Sequence, residues 1–327
     1  MKKVLVTGAN GFIGTALTER LLRDGVEVRA MCRNVHNGDA LKQAGAEVVG
    51  GDLMHPDVLR QHAEGCEVVF HVGAALGGTA AYQYNVSVLG TRNMAQAASD
   101  AGVGRFVHVS TISVYGTNVY GSIDEDRAQL PSRDDYYQQS KSIAEKVLRE
   151  TASRTGLPIT IMRPGMVYGP GSNFWTRMLY QTFSRYPVPI FGDGKGTAHP
   201  IFIDDAVDLL ITLATHPAAV GEAFNCAPDP APTWVEFLDF YARMGGNTKK
   251  MHISVELLRL FAPMINLLTR MRGEPTDMIG YIDYLTVPFV YSMRRAADKL
   301  GWRAQVSLPD GMAQAERWLK SNVPLLT

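Results

Sequence analysis

The chain has 327 residues, 46% of them hydrophobic and 20% charged, with 32 Lys plus Arg against 32 Asp plus Glu. That length exceeds one average domain, the balance is that of a soluble globular protein, and no net charge draws it to nucleic acid or to an anionic membrane. Cys32, Cys66 and Cys226 are widely spaced and odd in number, which fits a reduced compartment and no disulfide framework. No run of about 18 uncharged apolar residues occurs, so no membrane span is expected. The apolar run after Met1-Lys-Lys stops at Thr7, too soon for a signal peptide, and a cytoplasmic location is expected. The eight histidines show no His-Glu-x-x-His spacing and the cysteines no Cys-x-x-Cys, so no metal site is expected.

Residues 3–6 read as a short buried strand and residues 12–24 as a helix, with Phe12, Ile13, Ala16, Leu17, Leu21 and Leu22 at helical spacing. Between them lie Gly8, Gly11 and Gly14. A strand that turns straight into a helix aims the helix's free N–H groups at whatever sits above the strand. Glycines there let the backbone turn, approach a pyrophosphate and pack the helix on the sheet. Further strands are expected at 27–31, 46–49, 68–71, 105–109 and 158–163, separated by helical stretches such as 82–101. This alternation predicts an α/β fold with a doubly wound parallel sheet of Rossmann type, with ligands at the carboxyl ends of the strands.

Those ends carry the candidate residues. Arg33 follows the second strand, about 20 residues past the glycines, where an NAD protein would place an acid. A guanidinium there is either a partner for the 2′-phosphate of NADP or a solvated surface charge. By position, Asp52 is either an acceptor for an adenine amino group or a cap or turn residue. Gly73 and Ala74 are small enough for a flat cofactor to lie close to the backbone, and His71 reads as a packed structural histidine. Ser110, Thr111 and Ser113 close the fifth strand. A helix at 137–155 places Tyr137 and Lys141 on one face, four residues apart. A free tyrosine, with pKa near ~10, is a poor base at neutral pH, and a nearby ammonium favours its phenolate.

Thr7-Gly-Ala-Asn-Gly-Phe-Ile-Gly14 resembles the nucleotide loop of the extended short-chain dehydrogenase/reductases, the epimerase/dehydratase group. Further segments resemble the same family: Gly51-Asp-Leu53, His71-Val-Gly-Ala-Ala75, Val109-Ser-Thr-Ile-Ser-Val-Tyr-Gly116, Tyr137-Gln-Gln-Ser-Lys141 and Arg163-Pro-Gly-Met-Val-Tyr-Gly-Pro170. Asn85-Val-Ser-Val-Leu-Gly-Thr91 is one residue longer than the family's element. Recognisable motifs run from residue 4 to about 320, ending in what looks like a terminal helix and hairpin; roughly residues 249–291 match nothing.

The resemblance implies an NAD(P)-binding Rossmann domain of residues 1–165 plus about 203–222, and a substrate-binding domain of about 166–202 and 223–327. It implies an oxidoreductase in which Tyr137 moves a hydroxyl proton, Lys141 lowers its pKa and holds the ribose, and Thr111 hydrogen-bonds the substrate oxygen. Gly8, Asn10, Gly11, Phe12, Ile13 and Gly14 would hold the cofactor, with Arg33, Asp52 and Leu53 beyond them. Val72, Gly73, Ala74, Pro164 and Val167 would complete the surface with Tyr137 and Lys141. NADP is the expected cofactor and NAD the alternative. The resemblance also implies a homodimer pairing helices 82–101 and 137–155 across a two-fold axis.

The expected partner is a small-molecule substrate. Relatives that act on sugar nucleotides usually carry asparagine where this chain has Met166 and arginine where it has Ala198, both holding the diphosphate. Lys195, His199 or Arg270 are candidate replacements. Met and Ala instead offer apolar surface, so an apolar or acyl-like alcohol or ketone is expected, with sugar-nucleotide epimerisation or dehydration, and then a non-catalytic NADP sensor, as alternatives. The apolar stretch 255–289 reads as a packed helical lobe, or as a wall over the substrate or a surface touching lipid or a partner, with Arg259, Arg270 and Arg272 beside it.

Overall fold

A computed structural model describes residues 1–272 and 276–323. Seven short apolar segments form its main sheet: β1 (Lys3–Thr7), β2 (Glu27–Cys32), β3 (Glu47–Gly50), β4 (Val68–His71), β5 (Arg105–Val109), β6 (Ile159–Pro164) and β7 (Ala223–Cys226). All pairings are parallel, in the order β7-β6-β5-β4-β1-β2-β3. A parallel sheet needs cover on both faces, and β1 shows how its sequence supplies that. Val4 and Val6 point into one core with Phe70, Val107 and the Ile203–Thr215 helix, while Leu5 points into the other with Val69, Phe106, Met94 and Leu148. After β3 the chain crosses back to lay β4 on the other side of β1. The carboxyl ends of β1 and β4 therefore flank the switch point at which such sheets bind ligands.

The strand β7 comes from residues that the sequence reading leaves outside the nucleotide-binding part. Its four residues are interrupted by Asn225, so no apolar run announces it. Asn225 is nonetheless wholly buried: its side chain accepts from the Tyr115 hydroxyl at 2.8 Å and donates to the carbonyls of Ile123 and Ser292. The one-residue excess at Asn85–Thr91 is absorbed by a π-helical turn, Tyr84–Leu89, inside the helix that spans residues 80–100. A π turn closes its hydrogen bonds one residue later than an α turn, so it takes up the extra residue without ending the helix.

Three two-stranded parallel pieces pair Met166–Tyr168 with Pro200–Phe202, Val188–Phe191 with Lys250–Ile253, and Gly121–Ile123 with Phe289–Tyr291. The expected terminal hairpin is instead a pair of helices, Arg294–Leu300 and Leu308–Asn322. The stretch between them is pinned by the Asp205 carboxylate, which accepts the N–H groups of Gln305 and Val306 at 2.8 and 3.1 Å. The expectation of a packed lobe at 255–289 also needs correction: the Val255–Met271 helix buries only Ala262 and turns most of its large apolar side chains outward.

Candidate active site

The glycine loop turns tightly between β1 and the Phe12–Arg23 helix. Gly8 has φ of +65°, and a Cβ there would lie 2.7 Å from the Cα of Gly73, so the ends of β1 and β4 can close on each other only because residue 8 is glycine. A Cβ on Gly14 would strike the Gly8 carbonyl. Gly11 is the N-cap of the Phe12–Arg23 helix; it supplies no side-chain cap, and no acid sits in the first turn. The N–H groups of that turn are thus left for an anionic ligand. Asn10, Phe12 and Ile13 frame the same turn.

Beneath the loop runs a chain of hydrogen bonds. The Thr91 hydroxyl donates to the Ser87 carbonyl at 2.6 Å and so accepts from His71 Nε2 at 3.1 Å. His71 Nδ1 then accepts the Thr7 hydroxyl at 2.9 Å, and Thr7 Oγ1 receives the Gly73 N–H at 3.3 Å. One ring nitrogen must donate and the other accept, so the imidazole is neutral with its proton on Nε2. Burial, reinforced by the Lys141 ammonium, pulls its pKa down to about 3. His71 is therefore the structural histidine expected of it. The unfolded chain binds a proton at His71 as pH falls through about 6.5 while the native state does not, so native stability is lost on acidification. Between pH 7 and pH 5 this one group should cost about 2 kcal/mol. In chemical denaturation at the two pH values, His71→Gln should lose about 2 kcal/mol less than the parent; equal losses would show that His71 is not held neutral.

Thr111, Tyr137 and Lys141 converge at the end of β5. Thr111 leaves the strand extended and caps a 3-10 turn, Ile112–Tyr115, by accepting the Ser113 N–H at 3.1 Å. The Tyr136–Thr155 helix begins at Asp135, whose carboxylate accepts the Gln138 N–H, and this brings the Tyr137 phenol against the Thr111 hydroxyl. One turn on, Lys141 is buried and its Nζ donates to the Val109 carbonyl at 2.8 Å. Burial pulls the Lys141 pKa down to about 8, against the pull of Glu145. Burial also pushes Tyr137 up to about 12, with the Thr111 hydrogen bond opposing and the Asp135 carboxylate adding to the rise. The expected depression of the tyrosine by Lys141 is not seen: burial, Thr111 and Asp135 set the shift, and its direction is upward.

The sequence reading overlooked the support under these residues. Glu145 lies one turn beyond Lys141 and meets Arg163 of β6 in a two-pronged pair at 3.0 and 2.7 Å, with both side chains almost fully buried. Ser110 and Gln129 donate to the same carboxylate at 2.5 and 2.6 Å, and Arg163 also donates to the Tyr115 hydroxyl at 2.7 Å. The signal was available: Tyr137, Lys141 and Glu145 repeat every four residues and so share a helix face.

The other candidates lie around the rim of the same edge. Arg33 is exposed, and its Nη1 donates to the Tyr82 hydroxyl at 3.0 Å. Asp52 makes a turn, its Oδ1 accepting the Met54 N–H at 2.9 Å, and Leu53 is buried against the Gly73 and Gly90 backbone. Val72, Gly73 and Ala74 follow β4 and are half-buried. Pro164 ends β6, and Val167 is buried in the Met166–Tyr168 strand. Met166 is 5% exposed and Ala198 fully buried. His199 is sealed in an aromatic cluster with Phe289 and Tyr291, its Nε2 3.1 Å from the Phe289 carbonyl.

A doubly wound sheet with a hydroxyl, a phenol and an ammonium gathered at one carboxyl edge is the arrangement of an extended short-chain dehydrogenase/reductase, and the protein is an enzyme of that type. The chain belongs to the NAD dependent epimerase/dehydratase family, whose model matches residues 4–227. It is 29% identical over 323 residues to a 2-alkyl-3-oxoalkanoate reductase of Stenotrophomonas maltophilia, covering 95% of this chain and 97% of that protein. It is 26% identical over 332 residues to a UDP-glucose 4-epimerase of Vibrio cholerae, covering 98% and 97%. Among solved structures, MoeE5 in complex with UDP-glucose and NAD superimposes with a TM-score of 0.77 at 26% identity, over 98% of this chain and all of that one.

Proposed function

We propose that the protein is an NAD(P)-dependent oxidoreductase acting on an alcohol or ketone of apolar or acyl-like character. The observation that carries the substrate class is the apolar pair Met166 and Ala198, both buried where sugar-nucleotide enzymes usually place asparagine and arginine. The three candidate replacements are engaged elsewhere: Lys195 with Asp193, Arg270 with Asp134, and His199 in its aromatic cluster. An arginine–phosphate hydrogen bond contributes about 1.5–3 kcal/mol, so lacking it weakens a diphosphate by roughly ten- to hundredfold. The likeness to the 2-alkyl-3-oxoalkanoate reductase supports the same reading. The alternative, sugar-nucleotide epimerisation, draws on the Vibrio cholerae relative and on MoeE5.

The uncapped helix start at Gly11 and the close approach of Gly8 to Gly73 fit a dinucleotide pyrophosphate, with residues 1–165 and the Ile203–Thr215 helix as its frame. When bound, the nicotinamide supplies or accepts the hydride. The protein's own part is to position and to move a proton. Thr111 orients the substrate oxygen, Tyr137 exchanges its phenolic proton with that oxygen, and Lys141 holds the ribose. At neutral pH a phenol held near pKa 12 is protonated, which suits it to donate to a ketone being reduced.

Arg33 stands where an NAD enzyme would place an acid, and Tyr82 steadies its guanidinium. NADP is therefore expected to bind roughly ten- to hundredfold more tightly than NAD, with Arg33→Asp reversing the preference in a direct titration. Equal binding of both cofactors by the parent protein would make Arg33 a surface charge only. For substrate class, thermal unfolding with NADP present should shift upward with a long-chain 3-oxoacyl compound and not with UDP-glucose. A shift with UDP-glucose alone would restore the epimerase.

A further inference from the structure

The Val255–Met271 helix is amphipathic in the wrong sense for a globular surface. At 3.6 residues per turn, Leu257, Leu260, Phe261, Met264, Leu267 and Leu268 fall on one arc of roughly 120°. These six are 47–69% exposed, and Met271, on the same arc, is 76% exposed. The side facing the protein carries Ala262, the partly buried Leu258 and Ile265, and polar Asn266 and Thr269. Arg259 and Arg270 lie off the stripe and pair with Asp283 at 2.6 Å and Asp134 at 2.9 Å, their side chains still 56% and 66% exposed. A surface helix normally buries its apolar stripe and exposes its charges. Here the stripe runs for about 20 Å along the outside, with exposed Met251 before the helix and exposed Ile279 after it. A patch of that extent marks a contact surface.

We propose that this helix docks the protein in the plane of an anionic phospholipid surface. No described helix is long and apolar enough to cross a membrane, so the stripe would lie along the boundary between headgroups and acyl chains. Charge selects lipid over a second copy of the chain. Residues 249–272 carry Lys249, Lys250, Arg259, Arg270 and Arg272 against one acid, Glu256. That acid, in the first turn of the helix, is engaged by the Ser254 hydroxyl at 2.6 Å. Three of the cations are held by Asp239, Asp283 and Asp134, while Lys249, just ahead of the Lys250–Ile253 strand, and Arg272, the C-cap of the helix, are exposed. The two cations with no ion pair among the described residues, Lys249 and Arg272, leave this face with an excess of positive charge that anionic headgroups complement and a second copy of the same face does not. The docking helix reaches the active-site edge through Arg270, which pairs with Asp134, three residues before Tyr137; from the next helix, Met278–Thr286, the Tyr281 hydroxyl donates to Asp135 at 2.7 Å. The proposal holds for either substrate class.

Flotation of the full chain with phosphatidylcholine vesicles, with and without phosphatidylglycerol, tests it. The parent protein should float with the phosphatidylglycerol vesicles, more weakly on phosphatidylcholine alone. Leu260→Glu/Leu267→Glu changes two exposed side chains and should retain the parent's circular dichroism and melting. It should lower vesicle partitioning by at least about tenfold. The proposal is overturned by a parent that floats on neither vesicle or equally on both, or by a double variant that floats as well as the parent. It is equally overturned by a parent dimer that the double variant splits while neither binds vesicles.

Discussion

Tyr137→Phe is expected to lower turnover by about 10²- to 10⁴-fold, the ordinary contribution of a positioned proton donor or acceptor. The change removes one oxygen from a side chain in the first turn of a well-formed helix, so packing is nearly conserved. What is lost is the group that shares a hydrogen bond with Thr111 and carries a transferable proton. Cofactor affinity should be almost unchanged, because Lys141 keeps its place through the Val109 carbonyl. The informative comparison is therefore kcat against the dissociation constant for NADP in the same variant. A large fall in kcat with unchanged cofactor binding places the proton at Tyr137. Near-normal kcat would remove Tyr137 from the chemistry altogether.

The second large effect is on stability. Glu145→Ala leaves the Arg163 guanidinium charged, almost fully buried and without its two-pronged partner, and it strips Ser110 and Gln129 of an acceptor. Breaking a buried pair from one side costs about 3–5 kcal/mol, because the remaining charge is uncompensated. Glu145→Leu/Arg163→Met removes both charges and should recover a large part of that loss. Urea denaturation of the three proteins measures this directly. A single variant within about 0.5 kcal/mol of the parent would mean that the pair does not brace β6 against the Tyr136–Thr155 helix.

The parts of the molecule legible in its sequence are those whose chemistry is local. A strand, three glycines and a helix follow one another within the first 24 residues, and backbone geometry alone requires the glycine at position 8. The i, i+4 spacing of Tyr137 and Lys141 likewise settles that they share a helix face. What escaped depends on distant contacts. The strand β7 exists because residues 223–226 find β6 some 60 positions earlier, and its buried Asn225 is satisfied by Tyr115, from another part of the chain. The Glu145–Arg163 pair joins a helix to a strand that follows it. The stripe of Val255–Met271 shows a different limit: periodicity reveals which residues share a face, but the direction of that face is set by what the rest of the chain leaves uncovered.

The most direct test of the proposed chemistry is a turnover assay with NADPH and two substrates in parallel, a long-chain 3-oxoacyl ketone and UDP-glucose. Loss of reduced-nicotinamide absorbance with the ketone, absent in Tyr137→Phe, and no epimer formed from UDP-glucose is the predicted result. Conversion of UDP-glucose to its epimer without net change in the cofactor, and no reduction of the ketone, would contradict it.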